Sequence, residues 1–272
     1  LILLSNFPVF LSMKTSRLLP GLVVFLLAWL APQLRAERTV IPLDGDWRIA
    51  QSVEGERPPA EYLAAITVPS FVDLARPAFR DAGKQSPERN WFWYRRTFAA
   101  PAELPEFARL MIRKSHYGTS VWINGVHLGE QFACFTPTYW DLRPHLRAGA
   151  ENELVVRLGA TRDNIPVGMP GGADFERRNY VPGIYDSVEL QLSGGPRIVN
   201  VQAVPDLAAS RVRLVVELEG GAAATPAVLE ADVFEAASGK LISGHHARAY
   251  DNARQRAAAF HRVPRVDTEV HE

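Results

Sequence analysis

Val121-Trp122-Ile123-Asn124-Gly125-Val126-His127-Leu128 is the stretch whose reading decides the fold. An Asn-Gly pair between two alternating apolar runs is the strongest short-range hairpin signal, because both central residues of a type I′ turn need positive φ. The register that follows sets Ile123 opposite Val126 and Val121 opposite Leu128, four aliphatic side chains on one face. Trp122 and His127 pair on the other.

Outward from this hairpin the chain reads as short strands. Leu43-Asp44-Gly45-Asp46-Trp47 places a tight turn before an alternating run, with Trp47 and Ile49 on one face. Residues 73–90 show neither helical nor strand period and read as a connecting loop. Trp91-Phe92-Trp93-Tyr94-Arg95-Arg96-Thr97-Phe98 puts Phe92, Tyr94, Arg96 and Phe98 on one face and Trp91, Trp93, Arg95 and Thr97 on the other, so this strand is expected to be covered on both sides. The alternative is that Trp91 or Trp93 stacks on a sugar ring. Further strands are expected at Phe107 to Arg113 and Glu153 to Leu158. Between them Tyr139-Trp140-Asp141-Leu142 leads into a helical turn capped by Asp141 and ended by Gly149. Strands this short, without long helices between them, imply an all-β sandwich. Thr161 to Tyr180 has no period, and a loop of this length in a compact domain carries function or is disordered.

Gly194-Gly195-Pro196 marks a domain boundary, beyond which Arg197 to Val204, Arg211 to Leu218 and Val228 to Phe234 read as strands of a second sandwich. From His245 the alternation stops, as a truncation or a change of reading frame would leave it. The expected organisation is a signal peptide over 13–36, a first sandwich over 37–195, a partial second one over 196–244 and an irregular tail over 245–272.

Composition bounds the partners. The 272 residues are 47% hydrophobic, and thirty basic residues balance thirty acidic ones. No summed field favours nucleic acid or an anionic membrane. Met13 to Arg17 followed by the apolar Leu18 to Ala31 and by Leu34-Arg35-Ala36 reads as a secretory signal, with an apolar run shorter than the ~20 residues of a membrane span. Export to the periplasm or the extracellular space, with no span after cleavage, is the expectation. One cysteine, Cys134, excludes an internal disulfide and reads as a small buried hydrophobe. His245-His246 lacks ligands at metal spacing, and Gly171-Gly172 lacks the context of a phosphate cradle.

The ordered series Leu43 to Trp47, Trp93 to Phe98, Val121 to Gly125 with Gly129, Tyr139 to Leu142, Gly149 to Arg157 and Pro182-Gly183-Ile184-Tyr185-Asp186-Ser187-Val188-Glu189-Leu190 resembles the N-terminal sugar-binding domain of family 2 glycoside hydrolases. That family includes β-galactosidases, β-mannosidases and β-glucuronidases. The resemblance implies a jelly-roll sandwich, then an immunoglobulin-like sandwich, then a catalytic (β/α)8 barrel. The barrel takes about 250 residues and has no counterpart here. Its two glutamates carry retaining hydrolysis, so no residue of this chain inherits a catalytic role. Asn152-Glu153 mimics the Asn-Glu pair beside the family's acid/base but stands at a strand start in the wrong domain. The resemblance further implies that a jelly-roll loop supplies a polar residue to the sugar subsite and, in some β-galactosidases, an aspartate ligand to sodium. The matching position is Asp163, with Asn164 beside it, in a loop that also offers Arg162, Asp174 and Phe175. No other cofactor or metal is implied. The expected function is the non-catalytic, carbohydrate-contacting region of an exported glycoside hydrolase whose partners are a glycoside or oligosaccharide and a barrel in the same polypeptide. The alternatives are a stand-alone carbohydrate-binding or adhesion module and a purely structural sandwich.

Overall fold

The structure, a computed structural model, describes residues 2–5, 38–170, 181–206, 211–220, 228–234 and 237–248. The segment 13–36 and residues Gly171, Gly172, Asp174 and Phe175 lie outside them. The chain divides into two compact units, Glu37–Ser193 and the remainder. The all-β class read from the sequence is what the structure shows. Its helical pieces among the described residues are two 3-10 turns, Val72–Leu74 and Arg162–Asn164.

The Glu37–Ser193 unit is a jelly-roll sandwich. One sheet has six strands in the spatial order Val126–Gln131, Thr119–Ile123, Glu151–Gly159, Trp91–Ala99, Gly45–Ser52 and Ala64–Val68. The facing sheet has four, in the order Thr138–Asp141, Phe107–Ile112, Val188–Ser193 and Thr39–Pro42. Inward residues of both sheets form one core, in which Ile49, Tyr94, Val121, Leu154 and Val156 meet Leu110, Ile112 and Leu190, all at 0% exposure. Each such aliphatic burial contributes about 1.5–3 kcal/mol. The turn at Asp44-Gly45 passes the chain from the smaller sheet to the larger. The Asp44 carboxylate accepts from the Val188 amide at 2.8 Å, and the Trp47 indole donates to the Leu43 carbonyl at 2.9 Å.

The hairpin is present with its type I′ signature, φ being +50° at Asn124 and +84° at Gly125. Its register departs from expectation beyond His127. Ile123 faces Val126 and Trp122 faces His127, but Val121 faces Gly129, because a bulge at Leu128 takes up one residue. Val121 and Ile123 are in the core, Leu128 packs at its margin, and Val126 stays 42% exposed on an edge strand. The expected helical turn after Trp140 is a single turn: Asp141 Oδ1 accepts from the Arg143 amide, and the Leu142 carbonyl accepts from the His145 and Leu146 amides.

The outer face of the six-stranded sheet has a core of its own. Across the strands run two rows, Ala50, Trp93, Arg157, Ser120, Glu130 and Arg48, Arg95, Val155, Trp122, His127. Trp93, Trp122, Val155, Ala50 and Tyr62 are buried together there, so the Trp91–Ala99 strand is covered on both sides as expected. Trp93 is wholly buried, which removes it as a sugar platform, and Trp91 is half-buried beneath Arg157. Arg157 lies in the middle, its guanidinium carbon 4.0 Å from the Trp91 ring centre, 5.6 Å from that of Trp122 and 5.8 Å from that of Trp93. It donates to the Gly55 carbonyl, to Ser120 Oγ at 2.8 Å and to Glu130 Oε1 at 2.7 Å.

In the second unit Arg197–Asp206 pairs with Arg211–Glu219, and Val228–Phe234 lies between Ile2–Ser5 and Leu241–Arg248. The last strand extends four residues into the expected tail, of which residues 249–272 lie outside the described ones. It holds Val228–Phe234 by backbone pairing, with Glu230 opposite His246, and so runs past His245 although its sequence loses alternation there.

Two substitutions test these assignments. Arg157→Met removes the guanidinium and its bonds to the Gly55 carbonyl and Ser120, so urea denaturation should show a loss of about 2 kcal/mol. Asn152, wholly buried, accepts from Asn124 Nδ2 and the Arg147 amide and donates to the Arg147 and Ala150 carbonyls. Asn152→Leu should cost about 3 kcal/mol by leaving these partners unsatisfied.

Candidate functional site

The loop that the sequence singles out begins where the Glu151–Gly159 strand ends. Gly159 is there for close approach: a Cβ on it would stand 2.3 Å from the Asn164 Cβ and 2.4 Å from the Tyr117 carbonyl oxygen. The Gly159 amide donates to that same carbonyl at 2.6 Å. The loop therefore folds directly back on the strand end. Asn164 ties it, its Oδ1 accepting from the Thr161 amide at 3.0 Å while its own amide donates to the Thr161 carbonyl at 3.2 Å. Ile165 anchors the far side, packed with Tyr117, Cys134 and Phe132.

Asp163 and Asn164 line a cleft of about 570 Å³ together with Gln85, Ser86, Arg89 and Asn90. Gln85 Nε2 donates to Asp163 Oδ2 at 2.7 Å, across 78 residues of sequence. The structure thus brings the two expected residues to one concave surface. It also adds a wall from the 73–90 segment, which sequence reasoning left as a connection. Arg89 holds that wall. It is 2% exposed and donates to Gln51 Oε1 and to the Arg80 carbonyl, with its guanidinium over the Phe92 ring at 5.4 Å. Burial lowers its pKa, and it stays cationic at any physiological pH. The signal in the sequence was a charged residue two positions before a two-sided aromatic strand, and periodicity carries no information about such a residue.

This cleft is rich in amide, hydroxyl and guanidinium groups, and among the described residues its lining includes one carboxylate, Asp163. Such a lining can accept from and donate to sugar hydroxyls. Among the described residues there is no group of three His, Cys, Asp or Glu side chains placed to hold a metal ion. Asn152, in the pair that mimics a catalytic motif, is spent on turn hydrogen bonds, and Glu153 pairs with Arg95. Trp122 and His127 stack on each other at 4.3 Å, with Trp122 5% exposed.

Behind the loop, a three-stranded sheet of Ser70–Phe71, Gly183–Ile184 and Ser115–His116 closes this end of the sandwich. Its aromatic side chains stack: His116 lies 4.5 Å from Tyr117, 4.6 Å from Tyr185 and 5.9 Å from Phe71. Among the described residues neither His116 ring nitrogen has a partner at full hydrogen-bond geometry. Burial pushes its pKa down to about 4, with the Val181 backbone acting in the other direction. Burial likewise lifts the Tyr185 phenol to about 12, and its hydroxyl donates to the Cys134 carbonyl. Cys134 is buried, as expected, and burial raises its thiol pKa.

Comparison with known proteins agrees with the motif series. No family model matches the chain. A β-glucuronidase of Formosa agariphila is 29% identical over 139 residues, a match that covers 47% of this chain and 14% of that protein. Among solved structures, a β-glucuronidase from Ruminococcus gnavus in complex with D-glucuronic acid shares the fold with a TM-score of 0.55 and 20% identity. A β-glucuronidase from an uncultured Clostridium species does so with a TM-score of 0.53 and 18% identity. Each likeness covers 79% of this chain and 40% of the other. The chain therefore spans a small part of its curated relative and well under half of these solved enzymes. The resemblance to the N-terminal region of family 2 glycoside hydrolases is borne out.

The His116 environment gives a pH prediction. Its folded pKa, about 4, lies below the ordinary 6.5, so the unfolded chain binds the extra proton between these values and stability falls as pH drops through that window. Between pH 7 and 4.5, urea denaturation of the wild type should lose roughly 2–3 kcal/mol that His116→Phe does not lose.

Proposed function

We propose that this chain is the non-catalytic, substrate-flanking region of an exported glycoside hydrolase, and that the 570 Å³ cleft at Asp163 and Asn164 borders the path of a glycoside. The observation that carries this reading is the convergence of Gln85, Asp163 and Asn164 from two distant segments on one polar concavity, within a fold shared with β-glucuronidases. Hydrolysis with retention is assigned in this reading to a (β/α)8 barrel in the same polypeptide, as the resemblance to family 2 glycoside hydrolases implies. The similar proteins are β-glucuronidases, so a β-D-glucuronide is the first substrate to test. Export rests on the charged and apolar segment from Met13 to Ala36.

The test joins this chain to its barrel and measures release of p-nitrophenol from p-nitrophenyl β-D-glucuronide. Asp163→Ala and Asn164→Ala should each lower kcat/KM about tenfold, the cost of one or two lost hydrogen bonds to substrate. The chain without a barrel should release nothing. Unchanged kinetics in both variants would take this cleft out of the substrate path.

A further inference from the structure

The Asp163 cleft is tied at two levels, and the upper tie ends on Gln85. At the base the Ala160 amide donates to the Asn90 carbonyl at 2.9 Å, which lays the start of the loop against the start of the Trp91–Ala99 strand. At the rim Gln85 Nε2 donates to Asp163 Oδ2 at 2.7 Å. The backbone that carries Gln85 is pinned on both sides. Before it, the Lys84 amide closes a turn on the Asp81 carbonyl at 3.1 Å, with Lys84 Nζ on Asp81 Oδ1 at 3.0 Å. After it, Ser86 Oγ accepts from the Glu88 amide at 3.2 Å, and Arg89 is buried in the wall.

Donors and acceptors decide what this rim has left for a ligand. A primary amide has a donor end and an acceptor end, and a carboxylate only accepts. Asp163 therefore takes the donor end of Gln85, since the opposite orientation would set two oxygens against each other. Gln85 Oε1 and Asp163 Oδ1 then remain, neither with a partner among the described residues. The basic side chains of residues 81–89 are engaged, Lys84 with Asp81 and Arg89 with Gln51 and the Arg80 carbonyl. Asn90 Nδ2 is likewise spent, on the Val53 carbonyl at 3.1 Å. Two acceptors on one rim call for two donors on the ligand. Hydroxyls on adjacent carbons of a sugar ring supply them, one O–H each.

We propose, with the hydrolase reading above as premise, that Gln85 is a specificity-determining residue of this cleft: it and Asp163 together receive two neighbouring hydroxyls of one sugar ring. Gln85 acts twice in this arrangement. Its Oε1 accepts from one hydroxyl, and its Nε2 holds the Asp163 carboxylate in place for the other, so less order has to be imposed when substrate arrives.

The polypeptide with its barrel, assayed on p-nitrophenyl β-D-glucuronide and on analogues that each lack one ring hydroxyl, tests this. Gln85→Leu should lower kcat/KM on the parent glycoside about tenfold, the cost of one or two hydrogen bonds. For one monodeoxy analogue that difference from the wild type should shrink to about twofold, because the bond is already missing. Asp163→Ala should lose most of its effect on the analogue that lacks the hydroxyl of an adjacent carbon. Gln85→Glu adds a readout that packing alone would not move. At pH 7 it sets two carboxylates at hydrogen-bond distance and should be as slow as Gln85→Leu. Repulsion raises the pKa of the pair, so as pH falls the two share a proton and an O–H replaces the Nε2–H. Relative to the wild type at the same pH, Gln85→Glu should recover by about pH 5, and Gln85→Leu should not. A loss spread evenly over all analogues overturns the proposal, as does silencing at carbons that are not adjacent, or a Gln85→Glu variant that does not recover. If Asp163→Ala costs activity and Gln85→Leu does not, this proposal fails while the hydrolase reading stands. If neither changes the kinetics, both fail, because the cleft is then out of the substrate path.

Discussion

The burial of Arg157 between three indoles is the interaction on which the rest of the sandwich depends. A central strand such as Glu151–Gly159 has two faces, and the facing sheet covers only one. Covering the other with aliphatic groups would leave nothing to hold the Gly55 loop or to fix the Val126–Gln131 edge strand. A guanidinium does both, because it stacks on aromatic faces and still directs N–H groups in the plane of the fork toward Gly55, Ser120 and Glu130. Its desolvation is offset by these bonds and by the Trp91 face. Gly55 is part of the same arrangement, since a Cβ there would stand 2.4 Å from the Trp91 indole nitrogen. One charged residue thus joins the hairpin, the central strands and the covering loop.

The candidate site is a consequence of the same strand. At one end Asn152 closes the turn from Arg147, and at the other Gly159 lets the Asn164 loop lie flat against the backbone. Nothing about Asp163 is positioned by Asp163. It is placed by a glycine that admits its neighbour, by Ile165 packing against Tyr117 and by Gln85 reaching over from another segment. The aromatic stack around His116 supports that end of the molecule chiefly through ring contacts, with the Tyr185 hydroxyl tied to the Cys134 carbonyl, and burial there keeps the histidine neutral.

Much of this was legible in the residues. Alternation identified the strands, because a pleated strand between core and surface must alternate, and Asn124-Gly125 fixed the turn because few residues accept positive φ. The bulge at Leu128 was not legible. Gly129, at φ +117°, permits it, but nothing local says that the edge strand must twist there. The strand through His245 and His246 was missed for the opposite reason, since its pairing rests on backbone hydrogen bonds that side-chain alternation does not report. The loop at Asp163 was found through a family resemblance, and its partner Gln85 was not, because a contact across 78 residues has no local signature.

The pairing of Thr39–Pro42 with Val188–Ser193 joins the first strand of the unit to its last. Closing that ladder spans about 150 residues, with a loop entropy that only contacts formed in between can reduce. During synthesis the six-stranded sheet has all its strands once Gly159 has emerged, while the four-stranded sheet must wait for Ser193. For the translation of some thirty further residues, roughly two to six seconds at ordinary elongation rates, a half-built core with one finished wall has to stay out of contact with other chains.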